Sequence, residues 1–142
     1  MAYITEAEML KFGIRKGELE DLTKPGDGDA ETTAAEILEE AITNADDKIN
    51  TYLRGVITEL PLEVPPPVIK RASYDITLYY LYDRETSVDI PDKIKEKYDG
   101  TIKWLEAIAT GKAQLPIDIP DTQIEGTIWA ETTQAIFGKN SF

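Results

Sequence analysis

The sequence predicts a mainly α protein, a small bundle of about four helices over residues 1–111 with an extended C-terminal arm over residues 112–142. Apolar residues recur at three- and four-residue steps through the middle of the chain, which is the spacing of helices that bury one face. Prolines and glycines interrupt this spacing where helices are expected to begin and end. After residue 111 the helical spacing stops, and the length of 142 residues suits a single domain.

The first helix is predicted from a capping box. Thr5 precedes Glu8 by three residues, and this pair satisfies two backbone amides at a helix start. We expect the helix to end at Gly13 and a further short helical turn to follow within residues 14–22. Residues 24–29 have the composition of a loop.

The longest amphipathic pattern predicts a second helix with an acidic outer face, capped by Asp29 or Thr32 and ending at Gly55. A stretch with four prolines, residues 60–67, then favours a stiff extended crossing. The apolar positions of the helix are Ala34, Ile37, Leu38, Ala41, Ile42, Ala45, Ile49, Tyr52 and Leu53.

Two further helices complete the predicted bundle. One begins at Pro67 and runs to about Asp83, and because it is apolar nearly all round, we place it at the centre. A loop over residues 84–90 leads to the other, which begins at Pro91 and ends at Gly111.

Composition excludes several kinds of protein. The chain carries 15 basic and 27 acidic side chains, a net charge of −12, which argues against nucleic-acid binding and against attachment to anionic lipid. It has no Cys and no His, so it has no disulfide framework, zinc finger or Cys–His nucleophile. No apolar run approaches the roughly 20 residues of a membrane span. The first residues lack the features of a signal peptide, so we expect a protein made in a cytoplasm.

Patterns for metal binding and catalysis are incomplete. Asp27–Glu31 resembles the start of a calcium loop, but its sixth and twelfth positions hold Thr32 and Leu38 where Gly and Glu are needed. No P-loop, Gly-x-Ser-x-Gly or Ser-x-x-Lys pattern occurs. We therefore expect no catalytic residue, metal site or cofactor, with a carboxylate enzyme or metal protein as an alternative.

Two charged groups are candidate contacts between copies of the chain. Asp46 and Asp47 are neighbours on one helix and point about 100° apart, which favours ion pairs or caps at a helix junction over a shared acid–base site. Lys93 and Lys97 share one face of the last helix. Acidic and basic faces on one chain permit head-to-tail association, although solvated surface charge explains the same residues.

The C-terminal arm contains large apolar side chains without an evident core to fill. We interpret Trp129, Ile136, Phe137 and Phe142 as candidate anchors on a partner protein. Thr127–Ala130 is a candidate short strand.

Several segments, taken together in their order and spacing, resemble the tailed-phage and prophage proteins of the Mu type. The resemblance covers most of residues 1–111 and is weaker in the arm. The segments are Tyr3-Ile4-Thr5, Ala45 to Leu53, Leu60-Pro61-Leu62, Val64-Pro65, Lys70 to Ile76, Leu78-Tyr79, Tyr98, Trp104-Leu105 and Ile108 to Gly111.

This family is similar to head-completion or head–tail adaptor proteins, which form a ring beneath the portal and continue the DNA channel. The resemblance implies a structural virion protein of the neck, assembled in the bacterial host cytoplasm. Its implied partners are the portal protein, neighbouring copies in a ring expected to be dodecameric, and a tail-side neck or stopper protein. DNA would pass through without sequence-specific binding, and no membrane is involved. The alternative is an acidic helical protein-binding or regulatory module of a phage or prophage.

Overall fold

The computed structural model describes residues 2–25, 32–84 and 89–115, and within these ranges the chain forms α-helices and no strand. The prediction of a mainly helical bundle is confirmed. None of the helices described is long and apolar enough to cross a membrane. The candidate strand at residues 127–130 lies outside the described residues, as does most of the predicted arm.

The described residues contain three long helices and two short ones. The short pair precedes the long helices in the chain, and the second short helix occupies most of the segment where only a helical turn was expected. The helices are α1 (Glu6–Phe12), α2 (Lys16–Leu22), α3 (Ala34–Leu53), α4 (Pro67–Asp83) and α5 (Asp92–Ala109).

Capping boxes fix the starts of α1 and α3. The Thr5 hydroxyl accepts a hydrogen bond from the Glu8 amide at 3.2 Å, and the Glu8 carboxylate accepts one from the Thr5 amide at 3.1 Å. Thr33 and Glu36 form the same arrangement at the start of α3. The cap expected at Asp29 or Thr32 is therefore Thr33, because only Thr33 stands three residues before a Glu that can close the box.

Helix α4 lies at the centre of the bundle, as its apolar circumference predicts. It packs against α1, α3 and α5, and the rings of Tyr79 on α4 and Tyr98 on α5 stack with centroids 3.9 Å apart. One buried cluster joins α3, α4 and α5 and includes Ala45, Ile49, Ile69, Ile76 and Leu105. A second joins the short helices to α3 and α4 and includes Ile4, Met9, Leu19, Leu38 and Leu81.

Candidate functional site

A buried polar cluster ties the N-terminal segment to the long helices. The Tyr3 amide donates a hydrogen bond to the Asp46 carboxylate on α3 at 2.8 Å, and the Ser73 hydroxyl on α4 donates to the same carboxylate at 2.8 Å. The Tyr3 hydroxyl donates to the Asn50 side-chain oxygen at 2.5 Å and accepts from the Leu62 amide at 3.0 Å. Because these groups come from four parts of the chain, they fix how the N-terminal segment lies on the bundle.

The position of Asp46 differs from the expectation that both neighbouring carboxylates face another copy of the chain. Asp46 is only 5% exposed, and its two oxygens are occupied by Tyr3 and Ser73. Burial raises the pKa of the Asp46 carboxyl, while these two donated hydrogen bonds act to lower it. Asp46 therefore serves a helix junction inside the subunit, and only Asp47 of the pair remains on the surface.

An acidic groove runs between the N-terminal segment and α3, and it holds a volume of about 530 Å³. Its floor is apolar, and no Lys or Arg is among its lining residues. A groove of this kind offers apolar surface inside a negative rim, which suits a partner surface that carries lysines or arginines. The residues that define it are Ile4, Leu38 and Ile42 on the floor and Glu6, Glu39 and Asp47 at the rim.

A second groove, the α4–α5 groove, lies on another side of the bundle and involves no residue of α3. It holds about 460 Å³, and it adjoins a smaller depression that shares Asp75 and Lys97 with it and also contains Phe12 and Lys93. The residues that define the α4–α5 groove are Val68, Arg71 and Asp75 on α4 and Lys97, Gly100 and Trp104 on α5.

Asp75 lies where the groove and the depression meet, and it is 8% exposed. The Thr101 hydroxyl donates a hydrogen bond to its carboxylate at 3.1 Å. Burial raises the pKa of Asp75, while Thr101, Lys97 and Arg71 act to lower it. Asp75 was not predicted as a site residue from the sequence, although a single acid on an otherwise apolar helix face, four residues after Arg71, indicates such a position.

Basic side chains form the edge of this groove. The Arg71 guanidinium lies over the Phe12 ring at 4.5 Å from its centroid, a cation–π contact that holds the charge at the groove edge. Lys93 and Lys97 are exposed and line the same depression, which confirms that they share a face of α5. Their contact with a neighbouring copy stays a prediction, as does that of Asp47.

The four predicted anchors, Trp129, Ile136, Phe137 and Phe142, lie outside the described residues. Their role in binding a partner therefore stays a prediction. Within the described parts of the chain, no group of three or more Asp and Glu side chains is arranged to hold a metal ion.

Comparison with known proteins identifies related sequences. The family model described as Bacteriophage Mu, Gp36 matches residues 3–128. The Mu-like prophage FluMu protein gp36 of Haemophilus influenzae is 29% identical over 106 residues, which cover 73% of this chain and 72% of that protein. Gene product J of Escherichia phage Mu is 31% identical over 94 residues, 66% of this chain and 62% of that protein. The match to gene product J thus spans less than two thirds of its length.

The family match reaches further than the resemblance noted in the sequence, because it continues past residue 111 to residue 128. It therefore includes the described helices and part of the C-terminal segment. Since it spans well over half of the 142 residues, the chain belongs to the Bacteriophage Mu, Gp36 family of Mu-type phage proteins.

Proposed function

We propose that this chain is a structural and assembly protein of a Mu-like phage or prophage, namely a subunit of the head–tail connector. In this role it forms a ring beneath the portal and continues the DNA channel. The observation that carries the proposal is the pair of grooves with opposite charge, since the acidic groove lies on α3 and the basic-edged groove lies on α4 and α5. Membership of a Mu-type phage family supports it.

Opposite charge on two different surfaces favours a head-to-tail contact between copies. In such a contact, the acidic rim around Glu39 and Asp47 of one copy meets the edge formed by Lys93 and Lys97 of the next. A head-to-tail contact uses two different surfaces of each subunit, so it generates a ring when the rotation between copies closes. Charge complementarity also fixes the register of the contact and disfavours wrong pairings.

The net charge of the chain suits a channel through which DNA moves. With 27 acidic and 15 basic side chains, a ring of copies repels phosphate at short range and offers few cations for DNA to bind. A connector needs this property because the genome must pass without being held. In the proposed neck, the portal lies on the head side of the ring and a stopper protein lies on the tail side.

A charge-reversal exchange tests the ring contact. The variant Lys93→Glu with Lys97→Glu makes both meeting surfaces acidic, and Glu39→Lys with Asp47→Lys makes both basic. Each variant alone is expected to lose ring formation on purified portal, because like charges then meet. An equimolar mixture of the two is expected to form rings again, since every contact in an alternating ring pairs opposite charges.

The matched control reverses Lys95 and Lys103, which are exposed on α5 but line neither groove. This control changes the net charge equally and is expected to leave ring formation intact. Sedimentation velocity and electron microscopy report the rings, and circular dichroism checks folding. Failure of the unaltered chain to associate with portal contradicts the proposed function, and rings that survive both reversals contradict the proposed contact.

A further inference from the structure

The α4–α5 groove contains a glycine that the subunit itself does not require. Gly100 lies within the 18 residues of α5. Glycine weakens a helix because its flexible backbone loses more conformational entropy when the helix forms. A Cβ atom placed on Gly100 would meet nothing within 4 Å. No contact inside the described subunit therefore demands a glycine, and the open space above it is available to a group from outside.

The residues around Gly100 form an apolar surface with room for a large apolar side chain. Val68 is 38% exposed although it is a large apolar residue, and Trp104 is half-buried beside it in the groove lining. Arg71 and Lys97 border this apolar floor with positive charge. Such a groove selects a segment that combines a large apolar side chain with nearby carboxylates.

The chain supplies a segment of this composition. Residues 116–142 number 27 and carry four acidic side chains, Asp118, Asp121, Glu125 and Glu131, against a single basic one. Trp129 stands between two of these acids in the sequence. The segment and the groove are therefore complementary in charge and in apolar character.

The segment leaves the described fold close to this groove. Leu115 is buried in the cluster that contains Ala72 of the groove lining, and Trp104 packs against the same cluster. The choice of a neighbouring copy follows from the proposed ring, in which another copy lies at the Lys93 and Lys97 edge beside this groove. A segment of 27 residues reaches up to about 90 Å when extended, which is enough to cross to an adjacent subunit.

We propose that the α4–α5 groove of each copy receives residues 116–142 of a neighbouring copy, with Trp129 seated over Gly100 and the acidic residues facing Arg71 and Lys97. This inference rests on the proposed ring and adds to it a strap that links adjacent subunits. In this strap, the α4–α5 groove of one subunit binds residues 116–142 of the next subunit.

The native chain has no cysteine, so site-directed cross-linking tests the strap in the full-length protein. One population carries Val68→Cys and another carries Ala130→Cys, beside Trp129. The two are mixed, assembled on purified portal and oxidised, and covalent heterodimers are counted on denaturing gels. The control replaces Val68→Cys with Leu10→Cys, because Leu10 is 36% exposed, close to the 38% of Val68, and lines neither groove.

We expect heterodimers from Val68→Cys at a yield at least about tenfold above the Leu10→Cys control. We expect Gly100→Leu to abolish that excess, because the leucine side chain fills the open space above residue 100. Rings that assemble without excess heterodimer overturn the strap while leaving the ring standing. A cross-link that forms only within one chain, in a variant with both cysteines, overturns the choice of a neighbouring copy. Absence of rings overturns the proposed function and the strap with it.

Discussion

Single residues inside this protein carry hydrogen bonds that join segments distant in the sequence. Asp46 is the clearest case, since it accepts hydrogen bonds from Tyr3, 43 residues away, and from Ser73, 27 residues away. A buried carboxylate stabilises the fold when both of its oxygens accept hydrogen bonds. Removing the carboxylate leaves its buried donors unpaired, and each unpaired donor costs free energy.

We expect Asp46→Ala to lower the free energy of unfolding by about 2–3 kcal/mol, since it leaves the Tyr3 amide and the Ser73 hydroxyl without an acceptor. Chemical denaturation at neutral pH measures this difference. Asp47→Ala is the matched control, because Asp47 is exposed, and a surface change of this kind is expected to stay within about 0.5 kcal/mol. Equal stability of the two variants would show that the polar cluster does not hold the N-terminal segment.

Asp75 gives a prediction about pH. Burial raises the pKa of Asp75 above its ordinary value of 3.8, so the folded chain keeps this proton in a pH range where the unfolded chain has lost it. The unfolding free energy of the native chain should therefore fall relative to Asp75→Asn as the pH rises from 3.8 through the raised pKa.

Urea unfolding from acidic to neutral pH measures this difference between the native chain and Asp75→Asn. Thr101→Val serves as a companion variant, because removing its hydrogen bond raises the pKa of Asp75 further and extends the fall to higher pH. A difference that is constant with pH, or that changes in the opposite direction, would contradict the assigned environment of Asp75.

At the scale of elements, the helices follow from local patterns. The starts of α4 and α5 follow prolines, the start of α1 follows a capping box, and each of these was predictable within a residue or two. The cap of α3 is Thr33, one residue after the predicted Thr32 and four residues after the predicted Asp29. Periodicity also placed α4 at the centre, since an all-round apolar helix needs neighbours on every side.

The grooves between elements were not predictable in the same way. Spacing along α5 indicates that Lys93 and Lys97 share a face, but it does not reveal that Arg71 and Asp75 of α4 lie opposite them. Likewise, the adjacency of Asp46 and Asp47 does not show which carboxylate turns inward. Such facts depend on how helices pack, and one sequence contains that information only indirectly.

Gly100 gives a prediction at the scale of a helix. In the isolated protein, Gly100→Ala should raise the free energy of unfolding by up to about 1 kcal/mol through higher helix propensity. Thermal or urea unfolding measures the gain. Gly17→Ala in α2 is the matched control, because its Cβ would also meet nothing within 4 Å and it lines neither groove. A loss of stability for Gly100→Ala alone would mean that the subunit itself needs this glycine.

At the scale of the whole molecule, the bundle offers two surfaces of opposite charge on a chain with net charge −12. One surface is an acidic groove on α3, and the other is the basic-edged α4–α5 groove. In the proposed ring, charge complementarity between copies and repulsion of DNA belong to the whole assembly rather than to any one residue. The proposed function accordingly depends on shape and charge distribution.

Electron microscopy of phage particles made with and without this chain tests the connector role most directly. Particles made with the chain are expected to carry a ring of density beneath the portal and an attached tail. Particles made without it should be heads that lack tails or have lost their DNA. Intact tailed particles in the absence of the chain, with an unchanged neck, would show that the chain is not a subunit of the head–tail connector.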